Sequence, residues 1–167
     1  EILNPKPGDF IIDGTIGEGG HAKEILKKIE PDGAVLGIDW DKEQVQKAKT
    51  VNKSDLFNKQ VRLVYPSVKL IIEQGNYVEI PNILKKHKFG RADGLLLDLG
   101  FSSVHVDTAK KGFSFQKNEP LDMRYDESEG ENAAQIVNSY KEKDLAEIIY
   151  TYGEERRSRQ IAKNIVE

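Results

Sequence analysis

Phe10-Ile11-Ile12-Asp13-Gly14-Thr15-Ile16-Gly17-Glu18-Gly19-Gly20-His21 is the stretch that decides the fold. An apolar run follows Pro7-Gly8-Asp9 and enters a turn containing Gly14, Gly17, Gly19 and Gly20. Behind the turn, His21 to Ile29 places Ala22, Ile25, Leu26 and Ile29 on one helical face. The order is strand, glycine turn, helix. Glycines there let the backbone take positive φ and let a ligand approach the main chain. The helix start offers unpaired N–H groups to a negative ligand group.

Working outward, Ala34-Val35-Leu36-Gly37-Ile38-Asp39 reads as a second buried strand. Asp41 followed by Gln44 resembles a capping box and predicts a helix through about Lys49. Val68 to Gln74 predicts a third strand ending at Gly75-Asn76-Tyr77, while Val61 to Tyr65, broken by Pro66, is ambiguous. Pro81 suits the first residue of a helix to about Lys88. Leu95-Leu96-Leu97-Asp98 predicts a fourth strand. Continuous apolar strands alternating with helices imply a parallel sheet covered on both faces. After Gly100 periodicity is lost until helices at about Ala133 to Ser139, Glu142 to Tyr152 behind a Ser139/Glu142 box, and from Glu154 onward, with Gly153 as a stop. Glu1 to Pro5 reads as a helix tail and Glu154 to Glu167 carries no stop signal, which suggests a piece of a longer protein.

Composition narrows the function. With 38% hydrophobic and 32% charged residues, the 167-residue chain is typical of a globular protein of one domain or slightly more. It contains no cysteine, which excludes a disulfide scaffold, a thiolate–zinc site and a cysteine nucleophile. Its three histidines have no metal-ligand spacing, so no metal is expected. A net charge of −3 means that a nucleic acid would have to be read by a local patch and a pocket.

The candidate chemistry lies at strand ends. Gly17-x-Gly19-x-x-Ala22 satisfies the dinucleotide fingerprint, so an NAD-linked oxidoreductase is one reading of the turn. Asp39, at the end of strand two, is placed to accept hydrogen bonds from a ribose diol, or else to cap a helix, a role Asp41 fits better. Tyr77 could lie against an adenine. His21 is either a ligand contact or a helix cap, and His87, in Lys85-Lys86-His87-Lys88, reads as a solvated residue. Asp98-Leu99-Gly100-Phe101 resembles the Asp-Pro-Pro-aromatic signature of methyltransferases that modify exocyclic amino groups. An amino group conjugated to a base ring is a poor nucleophile, and acceptors on its hydrogens free its lone pair. An aspartate is too weak a base to deprotonate it beforehand, so proton loss accompanies or follows transfer. In the last helix Arg156, Arg159 and Lys163 share one face, with Ser158, Ile161, Ala162 and Ile165 opposite. The stripe is either a solvated face paired with Glu154 and Glu155 or, with Lys110, Lys111 and Arg124, a set of phosphate contacts.

Six segments together resemble a family. They are Asp13 to His21, Gly37-Ile38-Asp39-Trp40-Asp41, Asp93 to Ser103, Lys111-Gly112-Phe113-Ser114-Phe115, Pro120-Leu121-Asp122-Met123-Arg124 and Tyr152-Gly153-Glu154-Glu155-Arg156. In this order they are similar to the ribosomal RNA small-subunit methyltransferase H family, also called MraW-like, whose members make N4-methylcytidine. The resemblance implies an α/β fold: a doubly wound, Rossmann-like class I methyltransferase sheet, incomplete in this chain, with the start of an inserted helical domain. Residues 1–107 would be the cofactor-binding part and 108–167 the start of a substrate-recognition insert. It implies S-adenosyl-L-methionine as cofactor, bound by Gly17, Gly19, Gly20, His21, Asp39, Tyr77, Asp98 and His105. Asp98 would be catalytic in orienting the amino group; Phe101, placed directly after Asp98-Leu99-Gly100 where amino methyltransferases keep an aromatic, is the second catalytic candidate, stacking on the target base. Small-subunit ribosomal RNA in the assembled or assembling subunit would be the partner, in the cytoplasm and away from membranes. The chain departs from the family in having Ser102-Ser103-Val104-His105 for Ser-Ser-Pro-Gln, Phe101 for a small aliphatic residue, and an insertion near Asn58 to Ser67. A non-catalytic fragment that binds cofactor or RNA is the remaining alternative.

Overall fold

The computed structural model describes residues 3–53, 69–101, 106, 110–128 and 130–167. The ambiguous stretch Val61 to Tyr65, the insertion near Asn58 to Ser67, Val68 and His105 lie outside the described residues. The chain divides into two compact units, Glu1–Gly100 and Phe101–Glu167.

The first unit is a parallel sheet in the order β3-β2-β1-β4, built from β1 (Phe10–Asp13), β2 (Ala34–Asp39), β3 (Lys69–Gln74) and β4 (Gly94–Leu96). Its helices are α1 (Gly20–Ile29), α2 (Lys42–Lys53) and α3 (Ile80–His87). Alternation along each strand divides the core. Ile11, Val35 and Ile72 face α1 and α2, where Ala22, Ile25, Leu26, Ile29, Val45 and Ala48 meet them. Ile12, Leu36 and Ile38 face the other way, against Ile80, Ile83 and Leu84 of α3. Helices therefore cover both faces, and the fold is the doubly wound α/β sheet expected. Each fully buried Ile, Leu or Val contributes about 1.5–3 kcal/mol, which sets the rigidity of the strand ends.

Three local expectations change. β4 stops at Leu96, not Asp98, because β1 ends at Asp13 and, among the described residues, Leu97 and Asp98 have no strand to pair with. At the start of α2, the Asp41 carboxylate accepts from the Glu43 N–H at 2.7 Å, but the Gln44 amide has no partner among the described residues. The box is half formed. Leu3 to Lys6 is not helical.

The second unit holds α4 (Ala133–Ser139), α5 (Glu142–Gly153) and α6 (Ser158–Val166). Leu145, Ala146 and Ala162 are its core, with Ile136, Tyr140 and Ile149 against them. An Asn132/Gln135 capping box starts α4. Ser139 does not cap α5, since its hydroxyl donates back to the Gln135 carbonyl at 2.7 Å. Glu154 adopts a left-handed φ of 52°, so the last helix begins at Ser158 and not at Glu154. Only Ser158 and Ala162 of its expected inner face are buried, whereas Ile161 and Ile165 are exposed.

Candidate functional site

A parallel sheet delivers every strand's carboxyl end to one edge, where open α/β folds bind ligands. Here that edge is closely tied together. The Gly14 N–H donates to the Leu96 carbonyl at 2.9 Å, the Ile16 N–H to the Ile38 carbonyl at 2.9 Å and the Gly75 N–H to the Asp39 carbonyl at 3.0 Å. The Asp98 N–H donates to the Thr15 hydroxyl at 2.8 Å, which fixes the backbone of Asp98 while its side chain stays exposed. Glycine at 14 is a packing requirement: a Cβ there would lie 2.6 Å from Leu97 Cδ2 and 3.4 Å from Tyr77 Cβ. Thr15 and Gly14 thus join the ends of β1, β3 and β4, a role that the bare motif does not reveal.

The three carboxylates differ in environment. Asp39 accepts from the Gly17 N–H at 2.8 Å and from the Asp41 N–H at 2.9 Å, locking the glycine turn to β2. The cap of α2 is Asp41, as its position suggested. Asp13 is the residue that sequence reasoning passed over. It is fully buried, with one oxygen accepting from the Thr15 N–H at 3.3 Å and Oδ2 lacking any partner among the described residues. Burial pushes its pKa up to about 6; the Thr15 N–H and His21 pull it down, and Asp39 and Asp98 push it up further. The available signal was its position, the last residue of a strand buried on both faces.

Around these acids the turn is open. Gly17 and Gly19 have φ of 52° and 90°, which glycine adopts without strain, and a Cβ at Gly17, Gly19 or Gly20 would meet nothing within 4 Å. No side chain caps α1, so its first N–H groups are unpaired within the helix, and His21 stands exposed in the first turn. Tyr77 is 39% exposed on a short 3-10 turn (Tyr77–Glu79) held by a reciprocal Asn76/Glu79 box. Gly17, Gly19, Gly20, His21, Asp39, Tyr77 and Asp98 therefore gather on one edge. These residues fit S-adenosyl-L-methionine: bare backbone and free N–H groups for its carboxylate, a strand-end acid for its ribose, an aromatic for its base, and a buried unpartnered carboxylate oxygen suited to its positive charge.

Phe101 lies in the second unit, 62% exposed, with its ring centroid 6.2 Å from that of Phe113, which is 5.5 Å from Tyr125. The Pro120–Arg124 run is internally occupied. Arg124 makes a two-pronged pair with Asp122 at 2.8 and 2.7 Å and donates to the Gly130 carbonyl at 3.1 Å. Lys111 is buried, with its ammonium 3.1 Å from the Tyr125 carbonyl and 3.6 Å from Glu127. Neither cation is presented to a phosphate, so that part of the basic-stripe reading fails. Lys163 pairs with Glu167 at 3.3 Å. His87 is not simply solvated, because it lies 2.6 Å from Glu73, which also holds Lys86. Among the described residues no group of three or more His, Cys, Asp or Glu could hold a metal ion. None of their helices is long and apolar enough to cross a membrane.

The chain is similar to several known proteins. A protein of Syntrophobacter fumaroxidans named ribosomal RNA small subunit methyltransferase H is 41% identical over 167 residues, covering 100% of this chain and 49% of that protein. One of the same name from Syntrophotalea carbinolica is 42% identical over 165 residues, covering 99% and 49%. The chain spans about half the length of the curated relatives it matches. Among solved structures, Aeropyrum pernix fibrillarin with bound S-adenosyl-L-methionine aligns at a TM-score of 0.42 and 22% identity, covering 57% of this chain and 36% of that one. The model of the MraW methylase family matches residues 1–167. With the family model matching the whole length, the chain belongs to the MraW methylase family.

Proposed function

We propose that this chain forms the cofactor-binding part of an S-adenosyl-L-methionine-dependent methyltransferase that modifies N4 of a cytidine in small-subunit ribosomal RNA. Its setting would be the assembled or assembling subunit in the cytoplasm. The observation that carries the reading is the carboxyl edge itself, where the buried Asp13 (its Oδ2 without a partner among the described residues), the turn-locking Asp39 and the exposed Asp98 accompany bare glycine backbone. When bound, S-adenosyl-L-methionine supplies a methyl group on a positively charged sulfur. The chain's own part is binding, orientation and electrostatics. The helix start at Gly20 and His21 receives a carboxylate, Asp39 accepts from ribose hydroxyls and Tyr77 lies along the base. Asp98, its backbone fixed by Thr15, accepts a hydrogen bond from the target amino group and turns the nitrogen lone pair toward the methyl. Transfer would form the N–C bond as the methyl–sulfur bond breaks, S-adenosylhomocysteine leaving as the neutral thioether and one amino proton leaving with or after transfer. Phe101 stacks on the target base, and His105 belongs to the cofactor set. Residues 1–107 carry this chemistry and 108–167 begin an inserted helical domain for substrate recognition.

The test is methyl transfer from S-adenosyl-L-methionine to small-subunit particles by the protein at its relatives' length, with the RNA digested to nucleosides. N4-methylcytidine is expected, and Asp98→Ala abolishes it while S-adenosylhomocysteine still binds. A different methylated nucleoside, or an active Asp98→Ala enzyme, refutes the assignment.

A further inference from the structure

A second concave surface lies within the helical unit and belongs to none of the chemistry above. A groove of about 900 Å³ runs along α5 and across the start of α6, lined by Lys143, Tyr150, Arg156, Ser158 and Arg159. That volume falls within the usual range of small-ligand sites and holds about one nucleotide. Tyr150 stands on α5, 60% exposed, with the arginines and Ser158 lining the groove at the N-terminal end of α6.

The start of α6 is uncapped. No side chain bonds to its first turn, the Ser158 N–H is taken by the Glu155 carbonyl, and the first bond back into the cap reaches Ile161 from Arg157. The N–H groups of Arg159 and Gln160 are left over, at the positive end of the nine-residue helix dipole. Beside them is Ser158, only 4% exposed, whose hydroxyl lines the groove and makes no hydrogen bond among the described residues. A hydroxyl with no protein partner is left able to bond a ligand in the groove. Arg156 and Arg159 have no ion-pair partner among the described residues, unlike Arg124 and Lys163, which are both paired. Free N–H groups, the unpartnered Ser158 hydroxyl and two guanidinium forks without ion-pair partners among the described residues are the donor set for a phosphate. The Tyr150 ring adds a stacking surface for a base.

The charge of the groove limits what it holds. Glu142 and Glu147 also line it, against Lys143, Arg156 and Arg159, so its net charge is 3 − 2 = +1. This is no track for a polyanion. Resting on the reading of the chain as an RNA-modifying enzyme, we infer that the α5–α6 groove binds one nucleotide of single-stranded RNA, its phosphate at Arg156, Arg159 and Ser158 and its base on Tyr150. The site would grip the substrate through its backbone and a tolerant stack, without reading sequence.

The experiment is fluorescence anisotropy of a twelve-nucleotide single-stranded RNA with the protein, across a salt series. Arg156→Gln/Arg159→Gln is expected to reduce the salt slope by about 0.7, the value for one lost phosphate contact on a single strand. Tyr150→Leu is expected to weaken binding about five- to hundredfold while leaving the slope unchanged. All three side chains are exposed, so the variants retain the fold, and S-adenosylhomocysteine affinity stays at the wild-type value in each. Unaltered slope and affinity in both variants overturn the groove as an RNA site. Equal binding of duplex RNA overturns the stack, and competition by a phosphopeptide as strong as by RNA overturns the choice of ligand. Loss of S-adenosylhomocysteine binding by the wild-type protein refutes the methyltransferase reading separately.

Discussion

Two polar loops of this molecule differ in what their charged groups do. In the glycine turn from Asp13 to His21, a carboxylate oxygen is buried without a partner among the described residues, helix N–H groups are open and the nearby Asp98 side chain is exposed. In the loop from Lys111 to Asn132, Lys111, Asp122 and Arg124 are joined to one another's neighbourhood by bonds of 2.7 to 3.1 Å. The first loop is incomplete without a ligand, and the second is complete in itself. The more distinctive sequence, Pro120-Leu121-Asp122-Met123-Arg124, therefore identifies the family through architecture. The chemistry we propose lies at the plainer glycine turn.

The sharpest way to break this contrast is to strain the completed loop. Gly112 has φ of 78°, and a Cβ there would lie 2.4 Å from the Pro120 carbonyl oxygen and 3.2 Å from Leu121 Cα, backbone atoms that cannot swing aside. Gly112→Ala is expected to destabilise the second unit by about 2–5 kcal/mol, combining left-handed strain with overpacking. Gly130 has a similar φ of 72° but nothing within 4 Å, so Gly130→Ala should cost only about 1–2 kcal/mol. Urea unfolding followed by circular dichroism separates the two. Equal losses would mean that the loop is not packed as described.

The complementary change relieves the incomplete turn. Asp13 has its pKa raised to about 6 in the fold, above its unfolded value, so the folded state binds the proton more tightly. This group's stabilisation is fully present below about pH 4 and is lost as pH rises through about 6. At pH 7 the ionised group costs on the order of 2–3 kcal/mol, at about 1.4 kcal/mol per pKa unit. Asp13→Asn should flatten the dependence of stability on pH between 4 and 6 and raise stability at pH 7. Thermal unfolding across that range checks it, and an unchanged profile would place the titration elsewhere.

Much of the fold was legible because both faces of the sheet are covered. Apolar runs such as Ala34–Ile38 and the spacing of Ala22, Ile25, Leu26 and Ile29 leave one solution, and each of those residues apart from Ala34 and Gly37 is a buried hydrophobic. The misses occur where partners decide. β4 stops early because β1 ends at Asp13, Ser139 prefers a carbonyl behind it to a cap ahead, and Glu154 takes the left-handed position that ends α5. Strand-end positions in the site were readable from spacing. The environment of Asp13 was not, since an unpaired buried oxygen is a property of what surrounds it. Likewise, nothing in the helical spacing of Arg156, Arg159 and Lys163 shows that only the third has an ion-pair partner among the described residues.

The central claim is that the incomplete turn is a cofactor site with Asp39 at its ribose end. Isothermal titration of S-adenosylhomocysteine into the wild-type protein and Asp39→Ala tests it most directly. Binding by the wild type, weakened about five- to hundredfold in the variant, corresponds to losing about 1–3 kcal/mol of hydrogen bonding to ribose. Equal affinity in the two proteins, with the variant's fold intact by circular dichroism, would contradict the account.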